Sequence, residues 1–153
     1  MATEIERKFL LANDSWRGKI SQSTRIAQGY LATDPTVRVR IRGDAGYLTI
    51  KSKSTEDGIS RAEFEYSIPV ADALELLKLC PAVMDKTRNL AEYAGFIWEI
   101  DEFHGENTGL VVAEIELPTV NTVFDKPDWV GEEVTGDIRY YNSVLSQKPY
   151  SSW

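Results

Sequence analysis

The stretch Glu4-Ile5-Glu6-Arg7-Lys8 decides the fold predicted for this chain. Successive side chains of a β-strand point to opposite faces, so Glu4, Glu6 and Lys8 share one face and Ile5 lies on the other. Two carboxylates and an ammonium cannot be buried unpaired in an apolar core. They suit a divalent cation and a polyanion, because hard cations take oxygen ligands and phosphates take lysine or arginine. One face of this strand therefore needs a charged environment.

Six later segments show the same alternation of charged and apolar side chains, and each charged face has a single sign. The charged positions are Arg38, Arg40 and Arg42; Lys51 and Lys53; Glu63 and Glu65; Lys86 and Arg88; Glu99 and Asp101; and Glu114 and Glu116. One such strand alone would be interpreted as the solvated face of an antiparallel sheet. A series in same-sign blocks is different, because a solvated surface mixes signs and like charges on neighbouring positions repel.

A sheet closed into a barrel, with the charged faces turned inward, accounts for this pattern. Closure removes the edge strands, and an eight-stranded barrel can enclose one small ligand. The inward faces would carry as many acidic as basic side chains, so the lumen would be near neutral overall and locally polarised. A metal would collect at the acids and a polyphosphate at the bases. The residues by themselves thus predict a metal–polyphosphate site.

Composition limits the class of protein. A chain of 153 residues is one domain of ordinary size, and its net charge of −7 argues against a nucleic-acid partner. It has no long apolar run and no signal-peptide pattern, so we expect a cytoplasmic protein with no membrane partner. The single Cys80 and single His104 give little support for a zinc site or a Cys–His nucleophile pair. A homodimer is compatible with the sequence, which leaves the oligomeric state open.

The predicted fold is mainly β with flanking helices, in the α+β class. Turn residues and alternation predict strands at 3–11, 24–32, 36–42, 46–53, 61–69, 83–93, 96–104 and 110–117, with a short one near 131–135. A helix is predicted from Asp72 to just before Pro81, and a second one from near Asp137 through Leu145. We expect a single domain over residues 1–147 and a frayed C-terminal tail over 148–153.

Several motifs, in order, resemble one family. Glu4-x-Glu6-x-Lys8 resembles the ExExK signature of the CYTH superfamily, also called the triphosphate tunnel metalloenzymes. The later motifs that also resemble it are the paired-arginine strand Arg38-x-Arg40, the hairpin lysine Lys51, the basic strand Lys86-x-Arg88 and the second acidic strand Glu114-x-Glu116. Residues 129–140 resemble the W-x-G-x-E-V-T-x-D-x-R-Y segment of the short bacterial members. One triplet would occur often by chance, whereas this ordered set is specific and spans nearly the whole chain.

The resemblance implies an eight-stranded antiparallel tunnel that binds a linear triphosphate with Mg²⁺ or Mn²⁺. The short, acidic pattern is most similar to the bacterial inorganic tripolyphosphatases. The metal ligands implied are Glu4, Glu6 and Glu116 for one ion and Asp101 and Glu114 for a second. The substrate-binding residues implied are Lys8, Arg38, Arg40, Lys51, Lys86 and Arg88, with Arg139 at the tunnel mouth. Among these cations, Lys8, Lys51, Lys86 and Arg88 are the catalytic candidates.

Other activities remain open at this point. An adenylyl cyclase of the same superfamily would need a pocket for adenine and ribose, and no residue here requires one. A thiamine or nucleoside triphosphatase is a second alternative. The third is a non-enzymatic polyphosphate-binding module, which the intact acidic set disfavours because a pure polyanion binder would be served better by fewer carboxylates.

Overall fold

The computed structural model describes residues 2–153, and this part of the chain folds into nine antiparallel strands around a central lumen. Met1, the first residue of the predicted domain, lies outside the described residues. The strands are β1 (Ala2–Leu11), β2 (Gln22–Thr33), β3 (Thr36–Arg42), β4 (Ala45–Lys51), β5 (Ser60–Ile68), β6 (Val83–Tyr93), β7 (Phe96–Phe103), β8 (Val111–Glu116) and β9 (Val130–Glu133). Each strand lies within a few residues of its predicted range.

The strand order β5-β4-β3-β2-β6-β7-β8-β1-β9, together with a β5–β1 pairing, closes the first eight strands into a barrel. The predicted closed eight-stranded barrel is thus confirmed. Closure depends on β1, whose two halves have different partners. Residues 2–5 pair with β5, where Glu4 lies opposite Arg61, and residues 6–10 pair with β8, where Glu6 lies opposite Glu116. The predicted acidic strand is therefore the seam of the barrel.

The apolar faces of the strands point outward and are covered by the rest of the chain. On one side Phe9 and Trp98 pack edge to face with ring centroids 5.5 Å apart, and Trp129 lies 5.8 Å from Trp98. The segment between β8 and β9 and a 3-10 turn carrying Trp16 complete this core. The outward faces therefore supply the hydrophobic stabilisation, and the lumen is left to the charged side chains.

Helix α1 (Val70–Lys78) covers a second part of the barrel through Ala73 and Leu77, which pack on Val39. It begins two residues before the predicted Asp72, because Pro69 holds the extended conformation that precedes the first turn and accepts a hydrogen bond from the Ala73 amide. The helix ends at Lys78, before Pro81, as predicted.

The second predicted helix is broken into two short pieces. A 3-10 turn (Ile138–Tyr140) is capped by Asp137, and α2 (Asn142–Leu145) follows after Tyr141, whose extended backbone interrupts the helix. The break lets Tyr140 and Leu145 pack in a core cluster while Tyr141 and Asn142 reach the lumen wall.

The C-terminal residues are tied to the body of the protein rather than frayed. The Tyr150 amide donates to Asn107 Oδ1 at 2.8 Å, and the Trp153 ring lies 5.2 Å from that of Tyr140. Within residues 2–153, no helix combines the length and the apolar character that crossing a membrane requires.

Candidate active site

The lumen of the barrel encloses a polar cavity of about 190 Å³. Its wall includes four of the five predicted metal ligands and six of the seven predicted substrate-binding residues. These are Glu4, Glu6, Glu114 and Glu116 on the acidic side and Lys8, Arg38, Arg40, Lys51, Lys86 and Arg88 on the basic side. Two predicted site residues, Asp101 and Arg139, do not reach the wall.

The acidic side lies along the seam between β1 and β8, where Glu6 faces Glu116 and Lys8 faces Glu114 across the strands. Burial raises the pKa of Glu6 well above the ordinary value, and the nearby carboxylates of Glu114 and Glu4 raise it further. The pKa of Glu116 is also raised, by burial and by Glu4. The cations near this seam form ion pairs with Glu4 and Glu114 instead, so Glu6 and Glu116 form no ion pair within residues 2–153.

Glu4 is paired with two cations. Its two oxygens accept from Lys51 Nζ at 2.6 Å and Arg61 Nε at 3.3 Å. Burial alone would raise the pKa of Glu4, but Lys51 and Arg61 outweigh it and hold the pKa well below the usual range. Arg61 was missed by the sequence analysis, although its position two residues before Glu63 puts it on the same face of β5.

Four cations of the basic side lie on β3 and β6, and Lys8 on β1 and Lys51 on β4 complete it. Burial lowers the pKa of Lys86 to about 7, and Arg88 and Arg40 also lower it, whereas Asp101 opposes them. Burial also lowers the pKa of Arg40 to about 9, with Arg38 and Arg88 contributing repulsion. The wall is therefore crowded with buried like charges. A polyanion would relieve this repulsion.

Asp101 is enclosed by the basic side chains rather than open to a ligand. Its oxygens accept from Lys86 Nζ at 2.6 Å and from Arg88 Nε and Nη2 at 2.8 and 2.9 Å, and only 1% of the residue is exposed. The family resemblance implied that it binds a metal. In the structure it lies behind the wall, because Lys86 and Arg88 on the neighbouring strand close over it. These cations hold its pKa far below the usual range despite its burial.

Arg139 lies on the outer surface, although the family resemblance implied a place at the tunnel mouth. Its guanidinium donates to Asp137 at 2.8 Å, and 61% of its side chain is exposed. It also stacks on the Trp153 ring at 5.2 Å. The broken helix explains this placement, because the 3-10 turn at Ile138–Tyr140 directs Arg139 away from the lumen.

Comparisons with known proteins identify this tunnel. The family model described as the CYTH domain matches residues 2–143. The chain belongs to the CYTH family. It is 51% identical to an inorganic triphosphatase of Acetivibrio thermocellus, over 100% of this chain and 99% of that protein. It is also 37% identical to an inorganic triphosphatase of Nitrosomonas europaea, over 94% and 97% of the two chains. A solved structure of an inorganic triphosphatase has a TM-score of 0.69 and 34% identity, over 95% of each chain.

The CYTH match ends at Ser143 and thus includes the C-terminal segment that reaches the cavity. Thr135, Gly136, Tyr141, Asn142 and Ser143 lie on the wall. The segment is held by the basic side of the site, since Lys8 Nζ donates to the Tyr140 carbonyl at 3.1 Å and Lys86 Nζ to Asn142 Oδ1 at 3.0 Å. Only the resemblance of residues 129–140 pointed to this segment, and nothing local in the sequence indicated its contacts.

The acidic side of the CYTH tunnel fits a divalent metal by its chemistry. Carboxylate oxygens are the ligands that Mg²⁺ and Mn²⁺ take, and the mutual repulsion that raises the pKa of Glu6 would be relieved by a cation. Within residues 2–153, no three such side chains converge on one point as they stand. Glu4 is paired with Lys51 and Glu114 with Lys8, so among the described residues Glu6 and Glu116 are the carboxylates whose oxygens remain available to a metal.

Proposed function

We propose that this CYTH domain hydrolyses a linear triphosphate, inorganic tripolyphosphate, to pyrophosphate and phosphate with the help of a divalent cation. The observation that carries the proposal is a single enclosed lumen lined by both carboxylates and crowded, buried cations. A polyphosphate with a metal is the ligand that neutralises both sets of charges at once. The names of the two curated relatives support the same reaction.

The basic side chains hold the phosphate oxygens in this proposal. Phosphoryl transfer depends on positioning and charge neutralisation more than on covalent chemistry. Arg38 and Arg40 can each bind two oxygens with a planar fork, and the lysines act as compact charges. Arg38 Nε is buried and without a hydrogen-bond partner among the described residues, which makes it a donor available to the substrate. The set is Lys8, Arg38, Arg40, Lys51, Lys86 and Arg88, of which Lys8, Lys51, Lys86 and Arg88 are the catalytic candidates.

The carboxylates of the seam hold the metal in this proposal. Glu4, Glu6, Glu114 and Glu116 provide the oxygen ligands, and Mg²⁺ and Mn²⁺ both suit them. The bound cation supplies charge neutralisation and Lewis acidity. Tripolyphosphate bound at Lys51 and Lys8 would replace the carboxylates now paired with them, so that Glu4 and Glu114 would be available to hold the metal. Asp101 stays behind the wall and keeps Lys86 and Arg88 in place.

A free inorganic chain fits the lumen better than a nucleotide. Sites for organic groups are lined mainly by apolar and aromatic surface. In this cavity the large apolar and aromatic side chains are Tyr30, Ile59 and Tyr141, and charged groups make up most of the rest. The charged side chains can therefore bind three phosphates, whereas few side chains of the cavity could pack against an adenine or a thiamine group.

The test is phosphate release from equal concentrations of tripolyphosphate, ATP, thiamine triphosphate and pyrophosphate, with Mg²⁺ and separately with Mn²⁺. We expect strong preference for tripolyphosphate and complete loss of turnover in EDTA. Pyrophosphate and cyclic AMP formed from ATP, without orthophosphate, would show a cyclase instead. Tripolyphosphate that binds without being cleaved under any of these conditions would indicate a binding module.

A further inference from the structure

Two uncharged side chains connect the cations of the basic side, and the proposed reaction does not yet use them. Gln28 lies on β2 and is fully buried, and Asn142 is the first residue of α2. Gln28 Oε1 accepts from Arg40 Nε at 2.8 Å, and Gln28 Nε2 donates to Asn142 Oδ1 at 3.1 Å. The same Asn142 oxygen accepts from Lys86 Nζ at 3.0 Å. The chain Arg40–Gln28–Asn142–Lys86 thus crosses the wall from β3 to β6.

The hydrogen bonds allow one orientation of each amide. Arg40 Nε can only donate a hydrogen bond, so the Gln28 oxygen must face it and the Gln28 nitrogen must face Asn142. Lys86 is likewise a donor only, so the Asn142 oxygen receives both Gln28 and Lys86. Asn142 Nδ2 then has no acceptor among residues 2–153, although Asn142 lies on the cavity wall. Asn142 Nδ2 is therefore a donor available to a ligand.

The hydrogen bonds also determine how many donor groups of Lys86 and Arg40 remain available to a substrate. A lysine ammonium has three protons. Lys86 gives one to Asp101 Oδ2 at 2.6 Å and one to Asn142 Oδ1, which leaves one in a defined direction. Arg40 uses Nε on Gln28 and keeps both terminal nitrogens of its fork. A flexible lysine and a long arginine are thereby held in one arrangement before a ligand arrives.

We propose that Gln28 and Asn142 form one positioning unit that orients Arg40 and Lys86 toward the substrate. The identity of the substrate in this inference rests on the proposed function. The positioning of Arg40 and Lys86 rests on the hydrogen-bond geometry alone. Preorganised donors are worth more than mobile ones, because no ordering is needed when the charge develops. A displacement of about 1 Å can cost about a hundredfold in rate.

The test uses variants that keep the volume and remove the hydrogen bonds: Gln28→Met, Asn142→Leu and the double variant. We measure kcat and KM for tripolyphosphate and, separately, its Kd in EDTA, where no turnover occurs. Each single variant should weaken binding in EDTA by about tenfold, the scale of one hydrogen bond to a charged group, and should lower kcat/KM by at least as much. The double variant should lose little more than the worse single one, because residues that act as a unit are not additive.

The matched controls are Gln22→Met, an exposed amide on the same strand as Gln28, and Gln147→Leu, an exposed amide just after α2. Both should stay within about twofold of the unmodified protein. Thermal unfolding of every variant identifies any that does not fold. If Gln28→Met fails to fold, Asn142→Leu, which alters a half-buried residue of a short helix, still decides the matter.

Folded variants with unchanged Kd and unchanged kcat/KM would overturn the inference, as would losses that multiply in the double variant. An unmodified protein that binds tripolyphosphate without cleaving it would overturn the proposed function only, since the binding measurement in EDTA still tests the unit. No binding by the unmodified protein would overturn both.

Discussion

At the scale of single residues, the carboxyl groups of the lumen differ sharply in what surrounds them. Glu6 is half-buried beside other carboxylates, and desolvation and their charge raise its pKa, whereas Lys51 and Arg61 lower the pKa of Glu4. Asp101 pairs with both Lys86 and Arg88, the second of which also pairs with Glu99. Residues of one chemical type in one lumen therefore have different surroundings: Glu6 forms no ion pair within residues 2–153, which supports its proposed part as a metal ligand, and Asp101 holds Lys86 and Arg88.

The first prediction concerns the charge on Glu6 in the metal-free protein. A raised pKa means that the neutral form is favoured on folding, so the ionised carboxylate destabilises the protein as pH rises through the folded-state pKa. Glu6→Gln should therefore stabilise the protein in EDTA by on the order of 1 kcal/mol at high pH and by progressively less toward pH 4. Thermal unfolding of both proteins across this range measures the difference.

Glu132→Gln, at an exposed acid, is the control for that series and should shift the unfolding midpoint at no pH. Glu6→Gln should also abolish turnover, because it removes a proposed metal ligand. A variant less stable than the unmodified protein at every pH would contradict the account of Glu6.

The second prediction separates the two roles considered for Asp101. If it positions Lys86 and Arg88, Asp101→Asn should weaken tripolyphosphate binding in EDTA as well as turnover. It should also lower the free energy of unfolding by about 3 kcal/mol or more, because buried Lys86 loses its counter-charge and Arg88 keeps only Glu99. Calorimetric titration and chemical denaturation provide the two measurements.

Asp137→Asn is the matched control for Asp101, since Asp137 pairs with Arg139 at the surface and should contribute less than about 1 kcal/mol. Unchanged binding in EDTA combined with lost metal-dependent turnover would return Asp101 to the ligand set that the sequence suggested.

At the scale of elements, the barrel depends on close contact between its strands and what covers them. β4 passes beneath α1 at Gly46, where an added Cβ would lie 2.9 Å from the Ile68 carbonyl oxygen and 3.1 Å from the Ala73 Cβ. These neighbours are a strand backbone and the methyl of a buried helical residue, so neither can move far. Helix α1 can lie this close only because β4 has no side chain at that point.

The third prediction follows from that contact. Gly46→Ala should lower the free energy of unfolding by about 1–3 kcal/mol, the usual cost of overpacking. The change is remote from the lumen, so KM for tripolyphosphate should be unaffected in the folded protein. Gly18→Ala, at a site with nothing within 4 Å of the added carbon, should be neutral. Equal stability of the two variants would show that α1 has room to shift.

At the scale of the whole molecule, the barrel is built with its apolar side out and its charged side in. The stability of the metal-free protein therefore includes repulsion inside the lumen that a ligand would remove. The acids bonded to Lys8 and Lys51 compensate for part of this repulsion. Such a molecule should respond strongly to a ligand that neutralises the lumen.

The fourth prediction is the size of that response. A ligand that binds only the folded protein stabilises it by about 2.7 kcal/mol at a hundred times its Kd. For a chain of this length that corresponds to a rise of roughly 5–10 °C in the unfolding midpoint. Tripolyphosphate should produce this rise in a thermal scan, and sulfate at equal ionic strength should not. An equal rise with sulfate would mean that the effect is general screening.

The barrel could be predicted because the sequence patterns that indicate it lie within short segments of the chain. Alternation in Glu4–Lys8, Arg38–Arg42 and Glu114–Glu116 has the period of a strand, and the blocks of one sign indicate that the charged faces meet inside. Strand ranges follow from the same alternation and from turn residues. The second helix was predicted as continuous, since nothing in its apolar spacing reveals that Tyr141 is extended.

The sequence by itself determined which side chains share one face of each strand, because successive side chains alternate between the two faces along a strand. The tertiary structure alone decided how those side chains pair: that Lys86 and Arg88 enclose Asp101, that Arg61 reaches Glu4, and that Asn142 meets Gln28. These contacts join strands and turns far apart in sequence. They depend on strand register and on where the C-terminal segment crosses the barrel, which only packing of the whole chain sets.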